Sequence, residues 1–200
     1  MRRLAVVGVL VAALSISACG GKHEPLGPTA TVPQGTTTTN PYAVPAVIDE
    51  AYVNRVLEGL DQAYGEITRM IVETRTLLPE VVQRLNALYV GDSVQLQIDV
   101  FQAELLDGLR VYKPSPGNQV STITSLISVA PGCIFAEIHR DLSAVVVRTD
   151  PRLETQWVAL IPSADPPAAT SGFNPTPWAL KYDGFGQGFA QPEDPCVAVS

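Results

Sequence analysis

Residues 119–140 read QVSTITSLISVAPGCIFAEIHR. β-Branched residues dominate from Gln119 to Val129, Ala130, Pro131 and Gly132 supply a turn, and Cys133 to Arg140 runs back as the partner strand of a hairpin. On the returning strand Ile134, Ala136 and Ile138 share one face, which is expected to meet a core. Phe135, Glu137, His139 and Asp141 share the other.

Downstream of the hairpin, further strands are expected at Ser143 to Thr149, Trp157 to Pro162 and Trp178 to Tyr182, bracketed by Pro and Gly clusters. Asp165, Pro166 and Pro167, with Gly172 and Pro175 beyond, read as a surface loop. Upstream, Ile48, Tyr52, Val56, Leu60, Tyr64, Ile67 and Ile71 recur at spacings of three and four, one stripe of a helix. Glu50, Glu58, Asp61 and Arg69 fall off that stripe, while Gly59 and Gly65 weaken and bend its middle.

Pro79 and Glu80 open a second helix with Thr76 as its cap and Val82, Leu85 and Leu88 or Tyr89 as its apolar face. Gly91 and Asp92 end that helix and cap the next. The segment after them carries two patterns: Val94, Leu96, Ile98 and Val100 alternate like a strand, and Val94, Ile98, Phe101, Leu105 and Leu109 form a helical stripe. The longer pattern favours helix. The fold class is therefore α+β, with about three or four N-terminal helices packed on a curved C-terminal antiparallel sheet of about four or five strands over residues 46–200.

The chain begins with Arg2 and Arg3, continues uncharged from Leu4 to Leu14, and reaches Ser15, Ile16, Ser17, Ala18 and Cys19. A basic start, a short apolar middle and small residues before a cleavage point make a signal peptide over 1–18. The apolar run falls short of the about 20 residues that span a bilayer. From Gly20 to Pro45 the composition turns to Gly, Pro and Thr, including the run Thr36 to Thr39. Residues 19–45 thus form a tether that buries too little to order itself and extends to at most about 80 Å. His23 belongs to this tether and carries no assigned chemistry.

Thirteen Lys and Arg stand against 20 Asp and Glu, a net charge of −7 that loss of Arg2 and Arg3 with the leader makes more negative still. Such a balance argues against nucleic acid and against electrostatic docking on anionic lipid. Only Lys22, Lys113 and Lys181 are lysine, an Arg bias that fits a GC-rich genome.

Ile16, Ser17, Ala18 and Cys19 resemble the lipobox of bacterial lipoproteins. The resemblance implies a diacylglyceryl group on the Cys19 sulfur, cleavage just before it, and residence on the extracytoplasmic face of the cell membrane. Pro131 to Glu137, Asn174 to Trp178, and Asp194, Pro195 and Cys196 resemble uncharacterised actinobacterial lipoproteins over nearly all of the mature domain. The order of helices then curved sheet is similar to the cone-shaped nuclear transport factor 2-like fold, although the early strand of that fold is missing unless Val94 to Val100 supplies it.

Lipidation gives the odd cysteine of three a role, leaving Cys133 and Cys196. Outside the cytoplasmic membrane such a pair is expected as a disulfide, closing a loop of about 64 residues and stabilising by up to about 4 kcal/mol. Two cysteines with no neighbouring His do not make a zinc site.

His139 near Glu137 and Asp141 has the residue types of an acid/base group, and exposed alternation explains it equally. Gly184, Gly186 and Gly188 lack dinucleotide-loop spacing and read as a turn. No nucleophile, base and orienting group assemble, and no cofactor or metal is implied.

Two readings of use follow. The first is a non-catalytic binding or envelope-interaction module whose partner, besides the membrane, is an apolar small molecule or another envelope protein. Tyr64, Phe101, Tyr112, Phe135, Trp157 and Trp178 are its candidate pocket, or else simply core. The second is a small-molecule enzyme of the cone-fold isomerase or dehydratase type, using Asp99 or Glu137 with His139.

Overall fold

The computed structural model describes residues 42–106, 108, 111–148, 154–163, 172–185 and 191–197. The leader, Cys19, the tether up to residue 41, the loop at Asp165 to Pro167, and Gly186 and Gly188 lie outside the described residues. Helices α1 (Glu50–Thr74), α2 (Pro79–Leu88) and α3 (Asp92–Phe101) come first, with a π-helical turn at Gln102–Leu106. Strands β1 (Val120–Ala130), β2 (Cys133–Asp141), β3 (Thr155–Pro162) and β4 (Trp178–Phe185) follow and pair antiparallel in the order β1-β2-β3-β4. The architecture is α+β, as expected.

Asp49 caps α1 by accepting from the Tyr52 amide at 2.7 Å. The helix buries Tyr52, Val53, Val56, Leu57, Leu60, Ile67 and Ile71, a wider arc than the expected stripe, and it runs without interruption to Thr74. Gly59 does not break it; it is a point of close approach. A Cβ there would lie 2.8 Å from Thr176 Cγ2 and 2.9 Å from the Tyr42 hydroxyl.

Pro79 does begin α2, but Thr76 is not its cap. Leu78 holds that position without a side-chain bond, and the Thr76 hydroxyl donates to Thr74 O. Val81, rather than Val82, is the buried residue of the first turn, with Leu85 and Leu88. Arg84 ties α2 to α1 through Glu66 at 2.6 Å and covers the Phe173 ring at 4.3 Å. The ambiguous segment after Gly91 is helical, its α-helical turns giving way after Phe101 to the π-helical turn at Gln102–Leu106, and Leu109 lies outside the described residues.

The hairpin turns at Pro131 and Gly132, where φ of 81° suits a residue without a Cβ. Strand β1 carries two bulges, which leave Thr124 and Ile127 without cross-strand partners. The first lets both Ile123 and Leu126 reach the helix-side core despite their odd spacing, and Ile127 packs on the other face.

The strand expected at Ser143 to Thr149 is absent among the described residues. Asp141 accepts the Ser143 amide at 2.7 Å, an Asx turn that folds the chain over before the valines can extend. Leu142, Val145 and Val146 then form a small cluster of their own with Tyr112, joined by one bridge between Tyr112 and Val146.

Two cores sit on the two sheet faces. Ile134, Ala136 and Ile138 meet the helices, as alternation predicts. The opposite face is not left to solvent: Cys133, Phe135, Trp157, Ala159 and Cys196 form a second apolar cluster there. Cys133 and Cys196 stand at disulfide distance, 2.09 Å between sulfurs, tying residues 191–197 over that face.

The pairing has a measurable consequence. A Cys196→Ser exchange is expected to lower unfolding free energy by up to about 4 kcal/mol, and to shift Trp157 emission to the red as its cover loosens. Urea titration followed by tryptophan fluorescence checks both, and an unchanged midpoint would show that the link contributes nothing.

A polar cleft and the buried relay behind it

Strand β1 is an edge of the sheet, so its outward amides need partners from elsewhere. Helix α1 supplies them. Asn54 and Asp61, seven residues and so two turns apart, share a helix face. Asn54 Oδ1 accepts from the Ile123 amide at 2.9 Å, and Asp61 Oδ2 accepts from the Ser121 amide at 2.6 Å.

Asp61 is only 5 % exposed. Its other oxygen accepts from Gln119 Nε2 at 2.8 Å and from the Ser121 hydroxyl at 3.0 Å. Behind it, Arg140 Nε donates to that same hydroxyl at 3.1 Å, and Nη1 donates to both oxygens of Asp183 at 3.0 and 3.1 Å. The Tyr89 hydroxyl completes the line by donating to Asp183 at 3.3 Å. A polar relay therefore crosses the helix side of the sheet, from Asp61 to Tyr89, through a region otherwise apolar.

Electrostatics along this line follow from burial. Desolvation pushes the Asp61 carboxyl above its ordinary value, and the opposing pull of Arg140 and the bonds from Gln119 and Ser121 does not cancel it. Desolvation acts to lower Arg140 as well, but Asp183, Asp61 and Tyr89 outweigh it and the guanidinium is raised, so its charge is permanent. The Tyr89 and Tyr64 phenols are pushed well above 10 by burial first and by neighbouring negative charge second. Among the described residues the one buried side-chain polar atom left without a partner is Ser128 Oγ, outside this relay.

In front of Asp61 lies an open cleft of about 350 Å³ between α1 and the entry to β1. Asn54, Glu58, Asp61 and Gln62 line it from the helix and residues 118–122 from the strand.

The six candidate pocket aromatics do not share one cavity. Tyr64 and Phe101 stack at 5.4 Å on the helix side, where Tyr112 and Trp178 also pack. Phe135 and Trp157 lie across the sheet, in the cluster with the cysteines. Trp178 is held by its Nε1–H donating to Tyr52 at 2.8 Å, a core role.

The acid/base set does not converge either. Asp99 is exposed on α3 and accepts from Gln95; Glu137 is half-buried and accepts from Thr124; His139 is exposed on the far sheet face. Asp141 is held below its ordinary value by the Ser143 amide and hydroxyl, a turn-forming role.

Asp61, Ser121, Arg140 and Asp183 were not singled out by sequence. Arg140 had a visible signal: it shares the alternation of Ile134, Ala136 and Ile138, and a cation on a core face demands a buried acid. Asp183 had none, because a bulge between its strand and β3 reverses the alternation beyond Leu180.

Comparison with family models, with curated proteins and with solved structures finds no match to this chain.

Two outcomes follow from the relay. Arg140→Ala leaves Asp61 and Asp183 buried without their cation and is expected to cost about 3–5 kcal/mol in chemical denaturation. The second concerns pH. A carboxyl raised in the folded state binds its proton before the unfolded chain does, so its stabilising contribution is complete below the unfolded value, about 3.9, and fades as pH rises through the folded one. The stability advantage of the natural chain over Asp61→Asn is therefore expected to shrink from acid toward neutral pH. Denaturation at a series of pH values measures that slope, and a flat or rising difference contradicts it.

Proposed function

We propose that this chain is a membrane-anchored extracytoplasmic lipoprotein, held by acyl chains on Cys19 and acting as a non-catalytic binding module. The observation that carries the reading is the allocation of three cysteines. Cys133 and Cys196 sit at disulfide distance, which suits an oxidising compartment, and the remaining one follows Ile16, Ser17 and Ala18 in a lipobox-like position. The resemblance to actinobacterial lipoproteins agrees with that address. The tether of residues 19–45 holds the folded domain away from the lipid surface. Membrane attachment is by lipid, with no nucleic-acid partner.

Three bulges, two in β1 and one in β4, support a sheet that curves over its helices, in keeping with the cone-like comparison. Binding, rather than turnover, suits a molecule whose Asp99, Glu137 and His139 stand apart while a polar cleft opens beside α1.

Labelled palmitate fed to producing cells tests the anchor. Incorporation into the natural chain and its loss in Cys19→Ser are expected. A natural chain that takes up no label, or a variant that still does, overturns the reading.

A further inference from the structure

We propose that the cleft between α1 and the entry to β1 is a carbohydrate-binding site, sized for one or two sugar units. This rests on the binding-module reading and names its ligand class.

Size and lining come first. A volume of about 350 Å³ lies at the small end of ligand sites. Val120 is the one apolar residue of the lining and no aromatic ring is among them, so the apolar surface on offer is mostly the carbon stems of polar side chains, which suits the C–H faces of a sugar better than a wholly apolar ligand.

Next is the inventory of groups without a protein partner among the described residues. Asn54, Glu58 and Gln62 follow one another at spacings of four, which sets three planar polar ends in a row along one face of α1. Asn54 spends its Oδ1 on Ile123 and keeps its amide protons. Glu58 and Gln62 are exposed and spend nothing on the protein. Facing them, Asn118 spends its Oδ1 on Arg69 and keeps its amide protons, while Gln119 spends its Nε2 on Asp61 and keeps its carbonyl. Donors and acceptors are thus interleaved on both walls. A sugar presents the matching set, since each hydroxyl both donates and accepts and neighbouring hydroxyls pair with the two ends of one amide or carboxylate.

Charge excludes the main rivals. Glu58 and a net charge of −7 disfavour phosphates and other anions. For a metal ion, Asp61 already accepts three hydrogen bonds, which leaves Glu58 as the one carboxylate to spare. An organic cation has only Glu58, in open solvent, where a single ion pair is weak.

The test uses the full chain in zwitterionic detergent, with galactose, mannose, arabinose and N-acetylglucosamine as probes and putrescine as the cationic comparison. Saturation-transfer NMR and calorimetry are expected to detect at least one sugar. Glu58→Ala and Gln62→Ala should each weaken it tenfold or more without moving the melting temperature, because neither side chain bonds to the fold. Binding that neither exchange affects, no sugar bound at all, or putrescine bound in place of sugars each overturns the proposal. If sugars fail while palmitate still labels Cys19, the ligand assignment falls and the anchored-module reading stands. If palmitate labelling fails, that reading falls whatever the sugars do.

Discussion

The hydrogen bonds from β1 to Asp61 and Asn54 are what allow a helix and a sheet edge to share one core. An edge strand otherwise exposes a row of unpaired amides, a hazard for aggregation. Two side chains on one face of α1 remove that hazard locally, and the same contacts set the position of α1 along the strand. The opposite edge is treated similarly. The Val90 amide donates to Leu180 O at 3.0 Å and the Ser93 hydroxyl to Lys181 O at 2.6 Å, so the link from α2 to α3 covers β4.

Burying Asp61 for this purpose creates a second requirement. A carboxylate removed from water is costly unless a cation and hydrogen bonds compensate it. Arg140 provides the cation through Ser121, and Arg140 in turn requires Asp183. Each member is tolerable only because the next is present, which is why the relay extends across the sheet instead of stopping at one pair. Replacing all of it by apolar side chains is not expected to cost what removing one member does. What an apolar replacement would lose is register: hydrogen bonds specify one alignment of α1 on β1, whereas methyl groups tolerate several.

The elements read most reliably from sequence were those whose signal is local. The stripe of α1, Pro79 at the start of α2 and the Pro131–Gly132 turn each depend on residues a few positions apart. Reading failed where one residue changes the phase of a pattern. Asp141 turns the chain away from a strand that Val145 to Val147 would favour, and the extra residue at Lys181 shifts the phase so that Asp183 reaches Arg140. Asp61 is inconspicuous in the sequence because a charge beside a stripe usually faces water, and its burial depends on the long-range partners Gln119 and Ser121. Composition alone does not divide the six aromatics between sheet faces, although strand parity places Phe135 opposite Ile134 and Ile138. The cleft was invisible for a different reason, since its walls come from residues 54–62 and 118–122, whose apposition is a tertiary fact.

The relay and the cleft belong to one design problem. A recognition site gains affinity when its floor does not have to be ordered on binding. Asp61 forms that floor, and its three accepted bonds prevent it from swinging toward a ligand or toward solvent. Gln119 and Ser121 are fixed by the same bonds, leaving Glu58 and Gln62 at the rim to adapt. The polar network that closes the sheet edge therefore also rigidifies one wall of the cleft, so structural and recognition roles fall on adjacent residues of a single helix. Cys133 and Cys196 belong to the cluster on the sheet face away from the helices, so the covalent link secures that face while the relay secures the other.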